Sequence, residues 1–168
     1  MPVDADVVLA KVAAIDRCLG RIADVTGGDP ARLDELDVQD IVVLNLQRAA
    51  QASIDVAQHV VAEEALGLPS SMADTFAILR RHGRLDAELA DQMRAMVGFR
   101  NVAVHAYEEI DADILRAIVD HHLLDLRGFA AWAAGLVALD GLANLSIDIG
   151  DVDELNAELD AGRYEDDA

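Results

Sequence analysis

Cysteine, lysine, proline and aromatic residues are all scarce in this 168-residue chain, and each scarcity excludes something. A single cysteine, Cys18, rules out an intrachain disulfide and a cysteine-based metal cluster. It falls among apolar positions of helical spacing, so a buried, inert thiol is expected. Only 4% of residues are aromatic, which leaves an aliphatic core, and three prolines suit long uninterrupted helices. Lysine occurs once, at Lys11, and all Lys and Arg together number 13 against 32 Asp and Glu, a formal net charge of −19. So acidic a protein repels nucleic acid at long range, because affinity for it normally comes from neutralising phosphates. Long apolar runs are missing as well. The most apolar segment, Phe129 to Leu139, falls well short of the roughly 20 residues that span a bilayer. No basic amino terminus precedes an apolar stretch. A cytoplasmic protein without membrane association is expected.

What is present reads as helix throughout. Asp4 or Asp6 can cap a first helix with Val8, Val12, Ile15, Leu19 and Ile22 on one face. Thr26-Gly27-Gly28-Asp29-Pro30 ends it by turn chemistry, with no phosphate-cradling pattern around the glycines. A second helix is expected from Leu36 or Val38 to Ala65, striped by Ile41, Leu44, Ala49, Ala52, Val56 and Val60, and ended by Gly67-Leu68-Pro69. Ser70 or Ser71 can cap a short third, containing Phe76 and Leu79, that stops at His82-Gly83. Asp86 can cap a fourth, with Leu89, Met93, Met96 and Val97 inward. Asp111 starts a fifth through Leu115, Ile118, Leu123 and Leu126 toward Trp132 and Leu136. No strand alternation and no internal repeat appears. The expected architecture is an all-α, antiparallel up-and-down bundle of four long helices plus one short. Residues 1–140 would form the domain. Residues 141–168 turn acidic and polar and read as an appendage, partly helical around Val152, Leu155 and Leu159, otherwise disordered.

Charge is unevenly spread. Arg80, Arg81, Arg84, Arg94 and Arg100 crowd one stretch with His82, against Asp86, Glu88 and Asp91. Beyond Asp140 the only cation is Arg163. The chemistry concentrates at the end of the basic stretch, in Arg100-Asn101-Val102-Ala103-Val104-His105-Ala106-Tyr107. A guanidinium grips phosphate through a planar fork of donors. An imidazole, with an unperturbed pKa of about 6.5, exchanges protons near neutrality. Together they suit work at a phosphodiester; a helix with one surface arginine, one satisfied histidine and one buried tyrosine has the same spacing. On an ideal helix Asn101 and His105 lie about 40° apart and Arg100 and Tyr107 about 20°, but Arg100 and His105 about 140°. A straight helix cannot aim both at one phosphate. Either it deforms before His105, or the site is shared between two subunits.

Arg100-Asn101, three residues, then His105-Ala106-Tyr107 resembles the R-x4-H-x-Y signature of HEPN-domain ribonucleases, and more narrowly the HepT-like toxins. Leu44-Asn45-Leu46-Gln47 through Ile54-Asp55-Val56-Ala57-Gln58-His59-Val60-Val61 resembles that family's second helix. Gly67-Leu68-Pro69-Ser70-Ser71 and Met96-Val97-Gly98-Phe99 resemble later segments, so the likeness covers residues 4 to 138 in order. It implies a metal-independent endoribonuclease toxin of a type VII-like toxin–antitoxin pair, needing no cofactor and acting at a homodimer cleft. His105 would act as general base or acid, Arg100 would hold the phosphate, and Asn101 would orient phosphate or imidazole. Tyr107 would be the residue to which a minimal nucleotidyltransferase antitoxin transfers AMP. Arg80, Arg81, Arg84 and Arg94 are candidate RNA contacts, with His82 as a candidate rim. The reading from another class is a non-catalytic nucleotide- or protein-binding helical module that docks the nucleotidyltransferase. Metal chemistry has little support: the paired Glu-x-x-His motifs of di-metal bundles are missing. His59 with Glu63 and His121 with Asp125 have only i,i+4 spacing, and Asp151-x-Asp153 lacks the glycine of a calcium loop.

Overall fold

The computed structural model describes residues 3–105 and 110–148, with side chains to residue 143. The chain divides after Val137 into two units, Met1–Val137 and Ala138–Ala168, and the first holds the buried core. The elements among the described residues are helical, without strands. They are α1 (Ala5–Thr26), a 3-10 turn (Pro30–Asp34), α2 (Leu36–Glu63), α3 (Met72–Arg81), α4 (Ala87–His105), α5 (Ala112–His121) and α6 (Leu123–Asp148).

The helix ends follow the expected chemistry. The Asp4 carboxylate accepts the Asp6 and Val7 amides, and Asp86 and Asp111 do the same for Leu89 and Ile114. At α3 the Ser71 hydroxyl accepts from the Asp74 amide at 3.1 Å while the Asp74 carboxylate accepts from the Ser70 amide and hydroxyl. This resembles a capping box, with the Asp74 carboxylate reaching the residue before the cap rather than the cap's own amide. The two Ser70 hydrogen bonds hold the Asp74 carboxyl below its ordinary range. A depressed carboxyl stabilises the fold above its unfolded pKa and ceases to do so as pH falls through its folded one. Asp74→Asn is therefore expected to lower the melting temperature at neutral pH, with the gap to wild type closing in strong acid.

At its carboxyl end α2 stops without glycine. Ala65 takes a left-handed φ of 52° while the Leu66 amide reaches back to the Val61 carbonyl at 3.0 Å. A Cβ is strained there. Ala65→Gly is expected to raise stability by up to about 1 kcal/mol, read as a shift in the urea midpoint.

α2 is the central element, packed against α1, α3, α4, α5 and the 3-10 turn. Being surrounded, it buries more than one stripe: Val38, Val42, Val43, Leu46, Ile54 and Val61 join Ala49, Ala52, Val56 and Val60. The expected stripe holds at Ala49, Ala52, Val56 and Val60 and fails in the first turns, where Leu44 is 43% exposed and Ile41 only partly buried. Between α1 and α2, Lys11 bonds Asp55 at 2.6 Å and Cys18 lies within reach of Arg48. Rising numbers on one helix meet falling numbers on the other, so the two are antiparallel. Cys18 is buried as expected; burial pushes its thiol up, more than the nearby Arg48 and Arg17 pull it down. It should resist alkylation by iodoacetamide at neutral pH until the protein is unfolded.

The expected fifth helix is two. α5 ends at His121, His122 adopts φ −112° and ψ −5°, and α6 begins at Leu123. The His122 Nδ1 pairs with the buried Asp125 carboxylate at 2.8 Å across the break. α6 then lays Phe129 edge-on to Phe76, ring centroids 5.7 Å apart, and stacks it obliquely on Trp132 at 5.0 Å. The Trp132 indole donates to the Arg84 carbonyl at 2.7 Å. Phe129→Ala is expected to cost about 3–5 kcal/mol, measured by denaturant unfolding, since the ring is fully buried between aromatic neighbours.

One described helix, over Leu123–Ala143, is long and apolar enough by length and composition to cross a membrane, longer than the Phe129–Leu139 segment read from the sequence. Within the first unit that apolar character belongs to the core, where Leu126, Phe129, Ala130 and Ala133 are buried.

Candidate active site

α4 carries the Arg–His segment. Its inward side is Ala90, Met93, Met96, Val97 and Ala103, packed mainly against α2 and α3. The helix continues unbroken to His105, so no deformation turns the imidazole toward Arg100. Their directions remain about 140° apart. Their surroundings differ accordingly. Arg100 is half-buried, its Nε shut away from water with no hydrogen-bond partner. Its Nη1 makes only a long 3.4 Å contact with Asn101 Oδ1. An orphaned buried guanidinium N–H costs free energy. His105 is exposed, flanked by Asn101, Val102 and Val104, all exposed as well. Ala106 and Tyr107 lie outside the described residues, and so does Asp151-x-Asp153.

Next to this segment an apolar groove of about 270 Å³ opens between α4 and α5, lined by Met96, Phe99, Val102, Ile114, Ile118 and His122 among others. Val102 and Val104 stand 38% and 40% exposed within one turn of His105.

The other basic residues are arranged differently from Arg100. Arg80 and Arg94 share Asp91, Arg81 sits 3.9 Å from Asp74, and Arg84 is paired with Glu64. A phosphate at these exposed positions would compete with a carboxylate already in place. His82 closes the exposed end of α3. Among the described arginines, Arg17, Arg21, Arg48, Arg100 and Arg127 have no carboxylate within ion-pair distance.

The histidines with metal-like spacing have other partners. His59 Nε2 accepts the Asp4 amide at 3.1 Å, and Asp125 takes His122 rather than His121. Among the described residues no three His, Cys, Asp or Glu side chains gather as a metal site.

An all-helical bundle that presents an arginine and a histidine from one late helix is the architecture of the HEPN nucleases. Residues 15–131 match the model of the Ribonuclease HepT-like family, and the chain belongs to that family. It is 40% identical over 124 residues to the mRNA nuclease HepT of Shewanella oneidensis, covering 74% of this chain and 93% of the relative. A tRNA nuclease HepT of Aphanizomenon flos-aquae is 33% identical over 79 residues, 47% of this chain and 54% of the relative. Two solved structures are similar, each 39% identical and covering 76% of this chain and 96% of theirs. One is a toxin–antitoxin with AMP-PNP, at a TM-score of 0.72. The other is a tri-AMPylated Shewanella oneidensis HEPN toxin in complex with MNT antitoxin, at 0.71.

Proposed function

We propose that this chain is the ribonuclease toxin of a toxin–antitoxin pair, cutting RNA without metal through Arg100 and His105 at a cleft between two copies of itself. The observation that carries the reading is the buried, unpartnered Arg100 Nε on an unbroken helix whose exposed end bears His105. One subunit cannot close both groups on a phosphate; two subunits supply two guanidinia and two imidazoles. The exposed Val102 and the groove it borders between α4 and α5 support the pairing. One imidazole takes the proton of a ribose 2′-hydroxyl as its oxygen attacks the adjacent phosphorus. The bond from phosphorus to the 5′-oxygen breaks, and the second imidazole gives that oxygen its proton. Arg100 holds the non-bridging oxygens, where negative charge grows, and Asn101 orients phosphate or ring. The products are a 2′,3′-cyclic phosphate and a 5′-hydroxyl.

Control would fall on Tyr107, by AMP transfer from a minimal nucleotidyltransferase antitoxin. The AMPylated HEPN toxin found with its MNT antitoxin at 39% identity supports this. Residues 1–140 form the nuclease in this reading and 141–168 an appendage; the family match ends at residue 131.

Mass in solution tests the cleft. Light scattering at micromolar concentration is expected to give twice the 18.0 kDa of the chain. A strict monomer that still cuts RNA would contradict the shared site.

A further inference from the structure

On the α1–α2 pair lies a cavity of about 470 Å³ that the nuclease reading does not use. It exists because the facing positions are small: Ala14 and Cys18 of α1 and Ala52 of α2 form its floor. Each helix places one arginine at its edge, Arg17 and Arg48, and neither has a carboxylate within ion-pair distance. In a chain with 32 Asp and Glu against 13 Lys and Arg, two guanidinia left unmatched at one cavity stand out. Both line the cavity together with Cys18. At the far end Lys11 is bound to Asp55 at 2.6 Å, and the Gln51 amide donates to the same Asp55 at 2.8 Å. The Gln51 Oε1 is itself buried with no hydrogen-bond partner. The cavity thus has fork-like cationic donors at one end and a neutralised Lys11–Asp55 pair at the other.

We infer that this groove binds a nucleotide unit through its phosphate, held between Arg17 and Arg48. Two guanidinia match the several acceptor oxygens of one phosphate, which a single ammonium would meet as a point charge. The volume lies within the range of small-ligand sites. The paired Lys11 is held back by Asp55, so the arginines carry the anion. The ligand class extends the ribonuclease reading: the phosphate is either one in the RNA strand, gripped away from the cut, or that of a free mononucleotide.

The test uses the full chain and reads binding apart from cleavage. The probe is a labelled single-stranded oligonucleotide with 2′-O-methyl riboses, which cannot be cut by 2′-hydroxyl attack. Its anisotropy is followed against salt, and AMP is titrated separately by calorimetry. If the strand is the ligand, Arg17→Ala with Arg48→Ala weakens oligonucleotide binding about tenfold or more at low salt. It also flattens the salt slope by about 0.7, the contribution of one phosphate on a single strand. If a free nucleotide is the ligand, AMP binds wild type and not the double variant, and the strand is unaffected. Arg32→Ala with Arg116→Ala removes two arginines that already hold carboxylates, and is expected to change neither. Should the alanine pair not fold, Arg17→Lys with Arg48→Lys keeps the charge and must still lower affinity for whichever ligand binds. Unchanged binding of both probes in the groove variants, or an equal loss in the Arg32/Arg116 control, overturns the site. Loss of cleavage with the groove contacts intact would instead count against the nuclease reading alone.

Discussion

His105→Ala is expected to lower RNA cleavage by about 100-fold or more, with the protein still folded. This is the usual scale when a proton-transfer group is removed. His105 ends α4 and is exposed, so its loss opens no cavity in the core. In a shared cleft the substitution removes both imidazoles at once, acid and base together, and the loss should sit in kcat. Arg100→Ala differs because Arg100 is half-buried: truncation removes packing along its stem as well as the phosphate grip. Arg100→Lys is the cleaner variant. It keeps a charge and most of the stem but loses the fork, and should also cut slowly. Single-turnover rates on a defined RNA, with circular dichroism on each variant, make the check. Full activity in His105→Ala would remove the imidazole from the mechanism.

The second large effect is expected at Tyr107. On a helix it would lie about 20° from Arg100. An AMP joined to its phenol would put a phosphodiester anion beside the guanidinium and an adenosine where the strand must pass. Incubation with the partner nucleotidyltransferase, ATP and magnesium is therefore expected to abolish cleavage while the bundle stays folded. Tyr107→Phe should remain folded and escape modification. Intact-mass spectrometry followed by peptide mapping reads the outcome. No gain in mass, or a gain mapped to Tyr164, would take Tyr107 out of the regulatory role.

How far the sequence reached depended on how local each cause was. Helix starts were legible because Asp4, Ser71, Asp86 and Asp111 act on amides two or three residues away. The all-helical class followed from spacing, and the family from the Arg100–Tyr107 segment, which the match over residues 15–131 bears out. The break at His122 was not legible, because no glycine or proline marks it. It depends on a His122–Asp125 pair and on where α6 meets Phe76. The α2 stripe was legible from Ala49 to Val60 but incomplete, because a helix surrounded by five neighbours has no single apolar face to find, and Leu44 ended outside. Ion pairing was equally hidden. Arg80, Arg81, Arg84 and Arg94 look like a basic patch in sequence, yet each has found a carboxylate, and those of Arg80 and Arg84 come from another part of the chain. Arg17 and Arg48 lie 31 positions apart and share a cavity only through the antiparallel pairing of α1 and α2.

The most direct measurement of the central claim is product analysis of one short RNA in EDTA, beside the same strand with a single 2′-deoxy substitution at the cut position. Attack by the 2′-hydroxyl, assisted by imidazole and guanidinium alone, predicts cleavage of the RNA to a 2′,3′-cyclic phosphate and a 5′-hydroxyl, and no cleavage at the deoxy position. Cleavage of the deoxy-substituted strand at that bond, or cleavage that appears only when a divalent cation is added back, would contradict it.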